Sequence, residues 1–155
     1  MHNYEKNGVL SKKDLRLPSK KQLEKGVAII ECVQEIPCDP CVDSCPVGAI
    51  SMKDINAPPI IDYDKCIGCG KCVGICPGLA IFTIKIKDGK ALITLPYEFL
   101  PVPEVGKKVK ALDRFGKIID DAIIKRVIKV GKTMIITIET RKDLAMDIRN
   151  IRVGS

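Results

Sequence analysis

Apolar positions fall into three regimes along the 155 residues. Residues 1–26 are mostly polar and charged, and the stretch Ser19-Lys-Lys-Gln22 carries a capping-box signature that predicts a short helix ending at Gly26. Residues 27–31 then form a short strand-like run directly before Cys32. From there to about residue 84, short apolar runs are broken by Cys, Gly and Pro, and the breaks repeat. Cys38-x2-Cys41-x3-Cys45-Pro46-x2-Ala49-Ile50 recurs as Cys69-x2-Cys72-x3-Cys76-Pro77-x2-Ala80-Ile81, displaced by 31 residues. Extended runs precede each half (27–31 and 60–62) and follow each half (50–53 and 81–86). Two β-hairpins, with short helices after the Cys-Pro corners, are the expected outcome.

The third regime alternates. Residues 81–87 and 90–95 flank Asp88-Gly89, a strong two-residue hairpin signal. A linker punctuated by Pro96, Pro101 and Pro103 follows. Next come strand-like runs at 107–113, 117–128 and 133–139, separated by turns at Arg114-Phe-Gly116 and Gly131-Lys132. This predicts a small barrel or sandwich of β-branched strands. Residues 142–153 fit either a short helix, on Leu144, Ile148 and Ile151, or a last strand. Aromatics make up 4% of the chain and Trp is absent, so the core must be built from Ile, Val, Leu and Ala.

Charge separates the same regimes. Residues 32–82 carry 3 basic and 6 acidic groups, whereas residues 83–155 carry 16 and 9. An acidic segment in basic surroundings points to a partner with an acidic face, because charge balance governs association rather than fold. No apolar run approaches the roughly 20 residues that span a bilayer, and residues 1–13 hold no signal-peptide h-region. A cytoplasmic location is expected.

The eight cysteines all lie between residues 32 and 76. In a cytosolic chain they argue for metal rather than disulfides. Zinc sites favour a cysteine pair, a long gap and a second pair. Here Cys66-Ile-Gly-Cys69-Gly-Lys-Cys72-Val-Gly-Ile-Cys76-Pro77 matches Cys-x2-Cys-x2-Cys-x3-Cys-Pro without deviation. Thiolates at intervals of three can wrap one corner of a cuboidal iron–sulfur cluster. Gly68, Gly70 and Gly74 let the backbone come close to it.

These motifs resemble the bacterial two-cluster ferredoxin family over about residues 27–84. The resemblance implies an α+β fold: a ferredoxin-like module for two [4Fe–4S] clusters with a pseudo-twofold repeat, followed by a small mostly-β, barrel-like C-terminal domain. It implies that Cys66, Cys69, Cys72 and Cys45 bind one cluster, and Cys32, Cys38, Cys41 and Cys76 the other. The first motif departs from the pattern, since five residues separate Cys32 from Cys38 and Asp39-Pro40 stands where the second has Gly70-Lys71. A [3Fe–4S] first cluster is the alternative, with four cysteines available for [4Fe–4S]. The expected division is an arm at 1–26, a cluster domain at 27–84 and a β-rich docking domain at 85–155.

The expected role is electron transport by a metal-binding, iron–sulfur ferredoxin chain, with no substrate chemistry and no small-molecule substrate of its own. The sequence contains no nucleotide-binding glycine loop or flavin motif, and no nucleophile–base pair stands out. His2, the only histidine, sits at the N-terminal end, and no catalytic role is expected of it. Asp62 and Asp64 should face solvent, as should Lys107, Lys108 and Lys110, while Tyr63 and Phe82 should pack inside. A ferredoxin module followed by a cysteine-free β-region resembles the small iron–sulfur subunits of FAD-dependent amino-acid (proline-type) or related dehydrogenases. That layout implies an oxidoreductase subunit with a flavoprotein partner. The alternatives are a free soluble ferredoxin with an extended tail, or a nucleic-acid-binding protein with structural clusters. The second has only Tyr97, Phe99 and Phe115 as stacking residues in its β-region.

Overall fold

The structure is a computed structural model that describes residues 17–32, 40–76, 80–98, 102–131 and 133–153. The fold is mostly β, with a few helices of one or two turns. Helix α1 (Lys20–Lys25) forms as its capping box requires. The Ser19 side chain accepts from the Gln22 N–H at 3.3 Å, and the Gln22 side chain accepts from the Ser19 N–H at 2.8 Å. The same helix holds the loop before Cys66: Lys25 Nζ donates to the carbonyls of Tyr63 (2.8 Å) and Asp64 (3.0 Å).

In the cysteine segment, strands pair across the repeat rather than within each half. Strand β1 (Val27–Ile30), before the first motif, runs antiparallel to β4 (Ile81–Lys87), after the second. Strands β2 (Ile50–Ser51) and β3 (Ile60–Ile61) pair with each other. Helices α2 (Pro40–Ser44) and α3 (Lys71–Ile75) pack together. They stand before the Cys-Pro corners; residues 77–79, where the second expected helix would begin, lie outside the described residues. Proline disfavours helical backbone in the residue that precedes it, and Cys76 accordingly ends α3 in an extended conformation (ψ 114°). After Cys45 the chain makes a turn at Pro46–Val47.

Strand β4 leads into β5 (Lys90–Tyr97) through Asp88-Gly89, both with positive φ (52° and 76°), as a primed two-residue turn demands. Strands β6 (Lys108–Leu112), β7 (Ile118–Val130), β8 (Thr133–Arg141) and β9 (Asn150–Arg152) complete an antiparallel sheet in the order β1-β4-β5-β8-β7-β6-β9. The stretch at 142–153 therefore holds both a single 3₁₀ turn, Lys142–Leu144, and a last strand. The inner face carries Ala91, Ile93 and Leu95 of β5, Ile124 of β7, and Ile136 and Ile138 of β8, all fully buried. The 84/85 position falls inside β4, and the sheet continues on both sides of it.

The sheet's two edges, β1 and β9, are joined by charge. Glu31 follows β1 and sits beside Cys32; Arg149 precedes β9. Arg149 Nε donates to Glu31 Oε2. Arg114, in the β6–β7 turn, donates from Nε to Oε1 at 2.7 Å and from Nη2 to Oε2 at 3.3 Å. Side-chain exposures of 7% for Glu31, 4% for Arg149 and 11% for Arg114 make this a buried triad. Arg149 Nη1 also donates to the carbonyls of Ala145 (2.8 Å) and Ile148 (2.6 Å), and its guanidinium lies 5.2 Å from the centre of the Phe82 ring.

Candidate metal centre

The crossed strand pairing delivers cysteines from both motifs to one place. Cys45, after α2, and Cys66, Cys69 and Cys72, around α3, line a single pocket of about 310 Å³ with open solvent included. Ala28 and the apolar side chains of Val47, Ile50, Ile61 and Ile67 complete much of its wall. Cys66 and Cys72 are buried, Cys45 is half-buried and Cys69 is exposed. Sequence reasoning named all four sulfurs. It missed Ala28 and the isoleucine walls, which look like ordinary core in a one-dimensional pattern.

Backbone donors converge on the sulfurs. Cys66 Sγ accepts from the Ala28 N–H at 3.3 Å and the Gly68 N–H at 3.4 Å. Cys45 Sγ accepts from Ala49 N–H at 3.2 Å, and Cys76 Sγ from Ala80 N–H at 3.5 Å, the same four-residue step in each copy of the repeat. Gly68 has φ +68°, and a Cβ there would meet the carbonyl carbon and oxygen of Gly26 at 2.9 Å each. Only glycine lets this loop close over the start of β1.

The electrostatics of the thiols differ across the cavity. Burial pushes the Cys72 thiol up to about 12, and the nearby charges of Cys66 and Cys69 push in the same direction, with a smaller push from Cys41. Burial also raises Cys45, but the backbone N–H groups of Ala49, Val47, Ile50 and Gly48 outweigh it and hold this thiol below its ordinary value. A crowded, partly desolvated set of thiolates calls for a positive metal core among them. Among the described residues no three Cys, His, Asp or Glu side chains close on a single ion. The four sulfurs surround a cavity instead, so the donor set, apolar walls and N–H donors fit a polynuclear iron–sulfur group.

Of the second expected set, Cys32 and Cys76 are half-buried and Cys41 is buried, while Cys38 lies outside the described residues, as do Asp39 and His2. Asp62 and Asp64 are exposed, and Asp64 accepts from the Gln22 side chain at 2.9 Å. Tyr63 and Phe82 are buried. Lys107, Lys108 and Lys110 are exposed, and Lys108 and Lys110 both pair with Asp121. Of the three aromatics considered for stacking, Tyr97 is buried, Phe99 lies outside the described residues, and Phe115 is 66% exposed.

Residues 59–82 match the family model described as "4Fe-4S binding domain". The match covers the second cysteine motif, so this segment is an iron–sulfur cluster-binding one. Relatives agree over the cysteine region. The chain is 35% identical over 57 residues to an aliphatic sulfonate oxidoreductase, polyferredoxin-like subunit, of Pyrococcus furiosus, covering 37% of this chain and 33% of that one. It is 40% identical over 72 residues to an uncharacterized ferredoxin of Methanocaldococcus jannaschii, covering 45% and 44%. Over 38 residues it is 50% identical to a thiosulfate reductase electron transfer subunit of Salmonella typhi, covering 24% and 19%. The chain thus spans less than half the length of these curated relatives. No solved structure matches it. No helix among the described residues is long and apolar enough to cross a membrane.

Proposed function

We propose that this chain transfers electrons through two [4Fe–4S] clusters as the iron–sulfur subunit of a multi-subunit oxidoreductase. The observation that carries the reading is the single cavity shared by Cys45 of one motif and Cys66, Cys69 and Cys72 of the other. A sulfur contributed across the repeat is what two interlocked clusters need. On this reading Cys32, Cys38, Cys41 and Cys76 hold the other cluster, the first being [3Fe–4S] if one of its cysteines does not bind. The chain belongs in the cytoplasm, and its redox partner is a flavoprotein subunit of the amino-acid dehydrogenase kind. The names of relatives such as the sulfonate oxidoreductase subunit and the thiosulfate reductase electron transfer subunit support the subunit role.

Bound clusters supply reversible one-electron chemistry. The chain's own residues do the rest. Backbone N–H groups of Ala28, Gly68 and Ala49 point at ligand sulfurs, which favours added negative charge there. Cys66 and Cys72 are buried among apolar walls, Cys45 is half-buried, and Cys69 is the most exposed of the four. An anaerobic redox titration followed by electron paramagnetic resonance tests the proposal. It should give two separate one-electron couples with magnetically interacting signals. A single couple with one isolated signal would contradict the two-cluster reading.

A further inference from the structure

The outer face of the sheet and the loop that carries Cys69 enclose a second space, an open groove of about 870 Å³ with solvent included. Cys69 and Gly70 belong to the walls of both this groove and the cluster cavity, so one residue layer separates the two. Among the described residues, Lys71 and Arg126 stand in the groove with no ion-pair partner and no carboxylate lines it. The hydroxyls of Thr94 and Thr137, bonded to each other at 3.0 Å, form part of its floor beside Ile128 and Ile135. Ile75, 46% exposed, forms part of its wall.

We propose that this groove is the electron port of the chain and receives an acidic, partly apolar segment of a one-electron redox protein. The inference rests on Cys69 being a cluster ligand. Charge complementarity identifies the occupant: two unpaired cations and no anion among the described residues select a segment bearing carboxylates. The flanking isoleucines give that segment apolar surface to bury, which a small free anion would not use. A partner seated here meets Cys69, the most exposed of the four cysteines, and a single electron passes between its redox group and the cluster that Cys69 holds. Arg126 belongs to β7, far along the chain from the cysteines, so the site exists because the sheet folds back over the motif.

The test uses full-length holoprotein reduced with dithionite, with iron and sulfide counted in every variant. In stopped flow, anionic ferricyanide should oxidise the wild type at a rate that falls as salt is raised. Lys71→Glu/Arg126→Glu should cut that rate about tenfold and speed oxidation by cationic hexaammineruthenium(III). Lys87→Glu/Lys90→Glu, the same net change at the β4–β5 tip, should leave ferricyanide within about twofold. A synthetic peptide alternating Asp and Leu should inhibit the wild type and not the groove variant, while inorganic phosphate at equal ionic strength should not. Equal loss in both variants, no loss in either, or phosphate inhibiting as well as the peptide would overturn the proposal. Absence of iron and sulfide from the wild type would instead remove the cluster reading beneath it.

Discussion

At Gly68 a methyl group would stand 2.9 Å from two backbone atoms of Gly26 while the backbone held φ +68°. Both faults act together, because moving the loop away from Gly26 would pull the Gly68 N–H from Cys66 Sγ. Gly68→Ala should therefore destabilise the protein by about 1–3 kcal/mol and lower cluster occupancy, read by thermal unfolding and iron content. Gly70 has open space at its Cβ position, so Gly70→Asn, which tolerates the same φ, should cost far less. Cys45 gives the sharper residue-scale test. Cys45→Ser should damage the cluster of Cys66, Cys69 and Cys72, further along the chain, rather than that of Cys38 and Cys41 beside it. Spectroscopy that resolves the two signals decides it, and loss confined to the neighbouring signal would mean that ligation does not cross the repeat. The spacing of the second motif made Cys66, Cys69 and Cys72 readable from sequence, because three-residue steps are a local property. The Cys45 assignment came from the family resemblance, since nothing local says which cavity a sulfur enters.

Among the elements, the hairpin at Asp88-Gly89, the capped helix α1 and the strand runs between 81 and 141 follow the sequence closely, because each rests on short-range signals. Helices stand before the Cys-Pro corners and, against expectation, none follows the first, since the backbone restriction acts on the residue before proline and ends a helix there. The Glu31 triad was not readable at all. Its members lie 83 and 118 residues apart, and in sequence each looks like a solvated surface charge. Buried ion pairs are poor evidence of net stability, but losing one partner strands the other. Glu31→Gln leaves two buried guanidiniums and should lower stability by about 3–5 kcal/mol, seen as a large fall in Tm of the holoprotein. Replacing all three with apolar residues of similar size should recover most of that loss. If Glu31→Gln left Tm unchanged, the triad would not hold the edges of the sheet together.

For the whole molecule, the continuous sheet governs what truncation can do. Deleting residues from 105 onward would remove β6 to β9, strip β5 of its partner β8, and take both arginines from Glu31 beside Cys32. The truncated chain should therefore lose solubility and cluster content together, measured by iron retained in the soluble fraction after anaerobic expression. A soluble truncation with full iron would mean that the cluster segment folds without the β-region. The sequence pattern suggests a boundary at 84/85 because cysteines stop and alternation starts near there. A change of composition need not be a break in a sheet, and the non-local β5–β8 pairing leaves no trace in periodicity. The central claim is that this chain carries two iron–sulfur clusters, and metal and sulfide analysis of anaerobically isolated protein tests it most directly. The account predicts about eight iron and eight acid-labile sulfide per chain, or about seven iron if the first cluster is [3Fe–4S]. Stoichiometric zinc without sulfide, or iron near four, would contradict it.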